Sequence, residues 1–155
     1  MKYTAFIKTT LGMMGISETD GVVTDLFFSN NVCETSGQKT PLLAKAEKQI
    51  GEYLNGTRRG FDLPLASQGT EFQKTVWEAL RRIPYGETRS YKQVADMIGR
   101  PKACRAVGMA NYKNPVLILT PCHRVVGSDG RLTGYAAGLE VKEQLLELER
   151  TYAGR

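Results

Sequence analysis

Two short runs near the start of the chain are rich in β-branched and aromatic residues, a pattern typical of β-strands. They cover residues 3–7 and 22–28. Between them, Gly12, Gly15 and the pair Asp20-Gly21 mark turns, and Asp-Gly is a strong hairpin signal. The first 35 residues are therefore predicted to form a β-meander.

A helix is predicted directly after the meander. Thr40 suits the N-cap and Pro41 suits the first helical position. Apolar residues then recur at helical spacing, at Leu43, Ala46, Ile50, Tyr53 and Leu54. The pair Asn55-Gly56 ends this helix, and the Gly and Pro residues of 57–69 indicate a connector between two lobes.

The second lobe is predicted to be mainly helical. Its first apolar stripe consists of Phe72, Val76, Trp77 and Leu80. Ser90 and Gln93 match a capping box that opens a second helix, and Pro101 starts a third that runs through Asn111. The tight turn between these two helices predicts a helix-turn-helix. Residues 116–119 indicate a buried extended run, and a last amphipathic helix covers about 138–150.

The fold class that follows is α+β. A small lobe of meander and helix occupies residues 1–65, and a mainly helical, winged-helix-like lobe occupies residues 66–155. With 155 residues, 41% hydrophobic and 24% charged, the composition excludes a disordered or fibrous protein. The first residues lack the apolar core of a signal peptide, so we expect the mature chain to begin at Met1. Three cysteines cannot all pair within one chain, and we expect thiols in a cytoplasmic protein.

Net charge separates the two lobes. Residues 1–65 carry seven basic and seven acidic side chains, whereas residues 66–155 carry fourteen basic and nine acidic ones. The whole excess of +5 therefore belongs to the second lobe. This asymmetry indicates that the second lobe binds an anionic partner, and nucleic acid is the first candidate. The alternative is that the excess charge is ordinary solvated surface. Lys102 and Arg105, on the predicted third helix, suit contacts with phosphates or bases.

Candidate chemistry follows the buried run, where Cys122 lies between Pro121 and His123. A cysteine is nucleophilic as the thiolate, which an imidazole and a guanidinium such as that of Arg124 both favour. His123 would need a carboxylate to fix its tautomer. A buried structural cysteine beside a hydrogen-bonded histidine remains the alternative. The single His and dispersed cysteines lack the paired spacings of a zinc site.

The segment Pro121-Cys122-His123-Arg124-Val125 resembles the active-site motif of the O6-alkylguanine-DNA alkyltransferases, or methylated-DNA–protein-cysteine methyltransferases. The likeness extends over nearly all of residues 69–149. Further similar segments are Gly69-Thr70-Glu71-Phe72-Gln73, Val76-Trp77, Ile83-Pro84-Tyr85-Gly86-Glu87-Thr88, Ser90-Tyr91, Arg105-Ala106-Val107-Gly108, Ala110-Asn111, Asn114-Pro115, Gly134-Tyr135-Ala136, Gly138-Leu139 and Leu145-Leu146-Glu147-Leu148-Glu149.

The resemblance implies a DNA-repair protein that acts once. Such proteins bind duplex DNA from the minor groove through the helix-turn-helix and flip out an O6-alkylated guanine. They then transfer the alkyl group irreversibly to a cysteine, and O4-alkylthymine is a second substrate after O6-alkylguanine. The resemblance also implies an RNase H-like N-terminal lobe, no cofactor, and a monomer in the absence of DNA.

The resemblance assigns roles to five candidate catalytic residues. Cys122 would accept the alkyl group, and His123 would act as its base through a water molecule. Glu149 would orient His123, and Asn114 would be the hinge between the recognition helix and the active-site segment. Tyr91 would contact the target phosphate and protonate guanine N3 as the base departs. Without the resemblance, Glu149 is a solvated carboxylate at a helix end and Tyr91 a core residue.

The DNA contacts and the base pocket are likewise implied by the resemblance. Arg105 would enter the base stack in place of the flipped nucleotide, although a lone arginine on a helix is usually an ordinary surface residue. The other expected DNA contacts are Tyr91, Lys102, Ala103, Ala106 and Arg124. The expected walls of the base pocket are Val125, Tyr135 and Ala136.

Two departures from the family pattern change the expectations. The zinc site of some members needs Cys and His ligands in the N-terminal lobe, which here has only Cys33 and no His. We therefore expect no metal. Position 136 is Ala where some members have Ser, so no hydroxyl contacts the base there. We have no functional role for Cys104, which we expect to be a packing residue.

Three other functions were weighed against alkyl transfer. A non-catalytic alkyltransferase-like protein would recognise alkylguanine without repairing it, but such relatives replace the nucleophilic cysteine, and Cys122 is present. A methyl-responsive transcription factor needs fused DNA-binding segments for which 155 residues leave no room. An unrelated thiol hydrolase or redox protein would not explain the basic lobe.

Overall fold

The computed structural model describes residues 1–29 and 39–154, and its N-terminal part contains the predicted meander. Strands β1 (Lys2–Thr9), β2 (Gly12–Thr19) and β3 (Val22–Ser29) form an antiparallel sheet in the order β1-β2-β3. Asp20 and Gly21 join β2 to β3 with φ values of 51° and 82°. These left-handed conformations are the ones an Asp-Gly hairpin adopts, so the turn prediction is confirmed there.

The prediction of a turn at Gly15 is wrong. Gly15 lies in the middle of β2, opposite Phe6 on β1 and Phe27 on β3. The two rings meet edge to face, with centroids 6.1 Å apart. A Cβ atom at position 15 would come within 2.3 Å of the Phe27 ring. Glycine is therefore present here because an aromatic ring occupies the space above the strand.

Helix α1 (Pro41–Leu54) covers the sheet as its apolar spacing predicts. The Thr40 hydroxyl accepts a hydrogen bond from the Leu43 amide, and Asn55 caps the other end, which confirms both predicted limits. The helix contacts all three strands. The apolar residues that it buries are Leu43, Ala46, Ile50 and Tyr53. The following segment pairs with β3, where the Val23 amide donates to the Pro64 carbonyl at 2.8 Å.

The chain divides into two compact units, Met1–Ser67 and Gln68–Arg155. In the second unit, helices α2 (Glu71–Leu80), α3 (Tyr91–Met97) and α4 (Cys104–Tyr112) pack against one another. Capping boxes open both α2, with Thr70 and Gln73, and α3, with Ser90 and Gln93. The Trp77 indole donates to the Ala110 carbonyl at 2.8 Å, which ties α2 to α4 in the interior. No described helix is long and apolar enough to cross a membrane.

Helices α3 and α4 form the predicted helix-turn-helix, but the second of them starts later than expected. We predicted that it begins at Pro101, whereas α4 begins at Cys104. The Ala103 amide donates to the Arg100 carbonyl and closes a turn there, and no side chain caps the helix. Lys102 and Ala103 therefore belong to the turn that precedes α4.

Residues 116–119 are buried as predicted, but they are not extended. The Leu119 amide donates to the Leu117 carbonyl at 2.8 Å, which makes a γ-turn centred on Ile118 with a φ of 71°. The Thr120 amide closes the same reversal onto Val116 at 3.0 Å. The sequence pattern missed this turn because no Gly, Asn or Pro marks it.

The reversal leads into the elements that carry the candidate chemistry. A single 3-10 turn covers Cys122–Arg124, and β5 (Val125–Val126) then pairs in parallel with β4 (Arg89–Ser90). Helix α5 (Leu139–Ala153) follows Gly138, whose φ of 100° lies in the left-handed region. The inward face of α5 carries the polar side chains of Lys142 and Glu149.

Candidate active site

The 3-10 turn holds Cys122 inside the C-terminal unit, with 1% of the residue exposed. Its amide donates to the Thr120 carbonyl at 2.8 Å, and its carbonyl accepts from the Asn111 amide group at 3.4 Å. Both ends of this peptide segment are therefore fixed by hydrogen bonds. The thiol is therefore presented from a hydrogen-bonded turn.

Asn114 connects the end of α4 to this turn. Its side-chain amide donates to the Thr120 carbonyl at 2.8 Å, and its side-chain oxygen accepts from the Val116 amide at 3.0 Å. Burial raises the pKa of Cys122, and the Asn114 side chain opposes that shift. The structure thus brings the predicted hinge residue to the turn that carries the predicted nucleophile.

His123 and Glu149 are both buried and lie against each other. The distance between His123 Nε2 and Glu149 Oε2 is 2.7 Å. Arg124 binds the same carboxylate twice, from Nε to Oε1 at 2.8 Å and from Nη2 to Oε2 at 3.0 Å. The Gly86 amide donates to Oε1 at 3.1 Å. Glu149 is therefore the centre of a buried network and not a solvated residue at a helix end.

This network sets the protonation states of the pair. Burial acts to raise the pKa of Glu149, but the hydrogen bonds and charges of His123 and Arg124 outweigh it and hold the pKa well below the usual range. Burial lowers the pKa of His123, with Glu149 opposing and the charges of Arg124 and Lys142 assisting that shift. Near neutral pH the pair is therefore a carboxylate and a neutral imidazole. Since the carboxylate only accepts, Nε2 carries the hydrogen and Nδ1 presents a lone pair.

Lys142 is a further buried group beside the thiol. Its ammonium donates to the Thr133 carbonyl at 2.8 Å. Burial lowers the pKa of Lys142 to about 8, while the charge of Cys122 opposes the shift. Burial raises the pKa of Cys122 to about 11, with Asn114 and the Lys142 charge opposing it. The resting cysteine is therefore a protonated thiol whose ionisation Asn114 and Lys142 favour.

Sequence reasoning did not identify Lys142. It lies seven residues before Glu149 and three before Leu145, so all three residues share one face of α5. A charged residue in register with a buried apolar face was the available signal.

The prediction that Arg124 contacts DNA does not agree with its position. Its guanidinium is buried, with two donors on Glu149 and a third, Nη1, on the Ile83 carbonyl at 2.7 Å. It also lies over the Tyr85 ring, 5.7 Å from the centroid. Because buried charges need partners, Arg124 pairs with the buried Glu149 carboxylate that also faces His123. Arg124 supports the active site from inside.

Among the other predicted DNA contacts, Lys102, Arg105 and Ala106 are exposed at the start of α4, whereas Ala103 is half-buried. Arg105 and Ala106 lie on the exposed side of α4, with Lys102 in the turn before it. Neither Lys102 nor Arg105 makes an ion pair within the described part of the chain. Met109 and Tyr112 continue this surface and are 61% and 54% exposed. Cys104, expected to be a packing residue, is exposed as well.

Tyr91 is the first residue of α3, and Tyr135 lies in the segment between β5 and α5. The Tyr91 hydroxyl is 2.6 Å from the Thr133 hydroxyl. Tyr135 is buried, and its hydroxyl has no hydrogen-bond partner among the described residues. Burial raises the pKa of Tyr135, with the charges of Cys122 and Glu149 adding to the shift. Val125 is buried and Ala136 is exposed.

No metal-binding cluster was found within residues 1–29 and 39–154, where no three or more His, Cys, Asp and Glu residues come together. Cys33, the only candidate ligand of the N-terminal lobe, lies outside the described residues.

Together, the fold and the site define a helix-turn-helix protein with a buried thiol beside a histidine–carboxylate pair. Residues 71–151 match the family model described as the DNA-binding domain of 6-O-methylguanine DNA methyltransferase. The match covers more than half of the chain. This protein therefore belongs to the O6-methylguanine-DNA methyltransferase family, and its C-terminal part is a DNA-binding domain.

Individual relatives agree with this membership, one of them over nearly its whole length. The chain is 46% identical to the constitutive methylated-DNA–protein-cysteine methyltransferase of Bacillus subtilis, over 97% of this chain and 96% of that protein. It is 60% identical to the enzyme of the same name from Methanosarcina barkeri over 105 residues, which are 68% of this chain and 66% of the relative. The crystal structure of Mycobacterium tuberculosis OGT in complex with DNA is 43% identical, with a TM-score of 0.86 over 95% of this chain and 92% of that one.

Proposed function

We propose that this protein repairs DNA by transferring an alkyl group from O6 of guanine directly and irreversibly to Cys122. The observation that carries the proposal is the buried thiol of Cys122 on a turn that Asn114 holds, next in sequence to a His123 that is 2.7 Å from Glu149. Names of relatives at 46% identity over nearly the whole chain support the same reaction. O4-alkylthymine is a second, less favoured substrate.

The first step is activation of the thiol. Neutral His123 takes the Cys122 proton at Nδ1 through a water molecule, and Glu149 stabilises the imidazolium that forms. Arg124 holds the carboxylate with two hydrogen bonds, so Glu149 keeps its orientation as the proton arrives. Lys142 favours the negative sulfur through its charge. His123 and Lys142 therefore allow the Cys122 thiol to ionise near neutral pH, although burial raises its pKa.

The second step is displacement at the alkyl carbon. The sulfur of Cys122 attacks this carbon, a C–S bond forms, and the C–O6 bond breaks with its electron pair moving to guanine. Tyr91 gives its proton to guanine N3, which neutralises the departing base. The product thioether has no route back to the thiol, so each chain acts once.

Access to the base requires that it leave the helix, since an alkyl group inside duplex DNA cannot meet a buried sulfur in line. We assign the base-stack position to Arg105, which is exposed on α4. Lys102, Ala103, Ala106 and Tyr91 are assigned to the DNA backbone. Val125, Tyr135 and Ala136 are assigned to the pocket, where the Tyr135 hydroxyl is available to substrate. We propose that the protein acts on lesion-bearing duplex DNA as a monomer in the cytoplasm.

The decisive measurement is the intact mass of the protein before and after incubation with a duplex that contains one O6-methylguanine. We expect a gain of one methylene, limited to one per chain, which peptide mapping assigns to Cys122. Cys122→Ser should show no gain and should still bind the duplex, because the α4 surface is untouched. Cys104→Ser is the matched control and should gain as the wild type does. Tight binding without any mass gain in the wild type would instead favour a damage-recognition protein.

A further inference from the structure

Thr133 lies between two of the functional groups and contacts each with a different atom. Its hydroxyl oxygen is 2.6 Å from the hydroxyl oxygen of Tyr91, at the first turn of α3. Its carbonyl oxygen accepts a hydrogen bond from Lys142 on α5, at 2.8 Å. A threonine in the segment that joins β5 to α5 thus links the proposed proton donor to the ammonium that favours the Cys122 thiolate.

The surroundings of Tyr91 limit where its hydroxyl can go. The ring lies beside Gly108 of α4, where an added Cβ would be 3.8 Å and 3.9 Å from two ring carbons. Thr133 meets the ring's outer end, so the phenol is held between α4 and the segment before α5. Lys142 is itself buried, and its charge-assisted bond to the Thr133 carbonyl fixes the backbone that carries the hydroxyl.

A phenol oxygen has one hydrogen to donate and lone pairs with which to accept. When the Thr133 hydroxyl donates to Tyr91, the Tyr91 hydrogen is free to point at a substrate. The reverse arrangement would commit that hydrogen to Thr133. Only the first arrangement leaves Tyr91 able to act as an acid.

We propose that Thr133 is a positioning residue for the leaving-group step: its hydroxyl donates to the Tyr91 oxygen while Tyr91 passes its proton to guanine N3. This assignment rests on the proposed function. The sulfur gains the alkyl carbon, guanine takes the electron pair of the broken C–O6 bond together with the Tyr91 proton, and negative charge remains on the Tyr91 oxygen. The Thr133 hydrogen bond stabilises that charge until solvent returns a proton.

The test compares two reactions of the same sulfur. Transfer from a duplex containing O6-methylguanine needs a protonated leaving group, whereas alkylation of Cys122 by iodoacetamide releases iodide and needs none. Thr133→Val keeps the shape of the side chain and removes the hydroxyl. We expect it to slow single-turnover methyl transfer about tenfold, the worth of one lost hydrogen bond. Iodoacetamide labelling at Cys122, followed by peptide mapping, should be unchanged.

Three further variants complete the experiment. Thr133→Ser should restore the transfer rate, because it restores the hydroxyl. Thr133→Val should have no further effect in a Tyr91→Phe background, where no phenol remains to be positioned. Thr75→Val, which removes an exposed hydroxyl on α2, is the matched control and should transfer as the wild type does.

The outcomes separate this assignment from the function on which it rests. If the wild type transfers methyl normally and Thr133→Val does so at the same rate, the Thr133 assignment is wrong and the proposed function stands. Equal slowing of methyl transfer and iodoacetamide labelling would also overturn it, because Thr133 would then act on the thiol or on the fold. If the wild type transfers no methyl group, both the proposed function and the Thr133 assignment are wrong.

Discussion

Arg124 grips Glu149 through two N–H···O bonds, 2.8 Å and 3.0 Å long, in the interior of the C-terminal unit. This two-pronged geometry orients the carboxylate as well as neutralising it. The remaining prong reaches the Ile83 carbonyl at 2.7 Å, which ties the pair to the segment after α2. The Glu149 carboxylate that faces His123 is therefore oriented by a bidentate guanidinium. A lysine ammonium would supply the charge without the same two-bond geometry.

Replacing the Arg124 guanidinium should destabilise the folded protein. Arg124→Lys keeps a positive charge but cannot bond both carboxylate oxygens and Ile83 at once, so we expect a loss of about 2–3 kcal/mol in the free energy of unfolding. Urea denaturation measures this loss. Arg150→Lys, which alters an exposed pair with Glu147, should change stability little. Equal stability of the Arg124→Lys variant and the wild type would mean that the two-bond geometry contributes nothing.

Stability should fall on acidification in two stages. The pKa of His123 is lowered from 6.5 in the folded protein. Below about pH 6.5 the unfolded chain therefore binds a proton at His123 that the folded protein does not bind, and the free energy of unfolding falls. The pKa of Glu149 is lowered from 4.5, so its contribution is present above about that pH and is lost as the pH falls further. Both effects have the same sign.

Urea denaturation from neutral pH down to about pH 3 measures this profile, over windows set by the two ordinary pKa values. Glu149→Gln should flatten the stage below pH 4.5. Glu147→Gln, on the exposed face of the same helix, should leave the profile as in the wild type. A wild-type stability that stays constant across both stages would contradict the assigned protonation states.

Lys142 should control the reactivity of the thiol. Its charge opposes the burial that raises the pKa of Cys122, so Lys142→Met should raise that pKa further. At a fixed neutral pH the thiolate fraction falls about tenfold for each unit by which the pKa rises. The rate of iodoacetamide labelling at Cys122 measures the change. Lys113→Met removes an exposed charge and should label as the wild type does; identical rates for both variants would exclude Lys142 from this role.

Arg105 should matter only when a base must leave a duplex. We expect Arg105→Ala to slow repair of O6-methylguanine in duplex DNA by about tenfold or more, since the flipped state loses its stacking guanidinium. Reaction with free O6-benzylguanine should keep its rate. Arg82→Ala, which removes a different exposed charge of the same unit, is the control. Equal slowing on both substrates would reject the base-stack assignment.

Much of the fold was predictable because it depends on local chemistry. Thr40, Ser90 and Pro41 mark helix starts that the structure reproduces, since a cap is satisfied by backbone amides only a few residues away. The sequence predicts the start of α4 three residues too early, because Pro101 suits a turn as well as a first helical position. Local signals of this kind fix the existence of an element better than its boundary.

The features that sequence reasoning missed depend on contacts between distant parts of the chain. The sequence predicts a turn at Gly15 because the Phe27 ring that requires a glycine belongs to another strand. The sequence assigns Arg124 to the DNA because its partner, Glu149, is 25 residues away. The roles of Cys122 and Glu149 came from family resemblance, whereas the position of Lys142 beside the thiol emerged only when α5 was in place.

The γ-turn at Ile118 places two requirements in conflict. A β-branched residue with a φ of 71° costs about 1–3 kcal/mol in backbone energy, yet Ile118 is buried, with only 2% of the residue exposed. Glycine at position 118 would relieve the backbone strain but leave a cavity, and a larger side chain would keep the strain. No single substitution therefore improves both the backbone energy and the packing. The segment that precedes Cys122 is thus locally frustrated, and its conformation is imposed by the packing around it and not by its own preference.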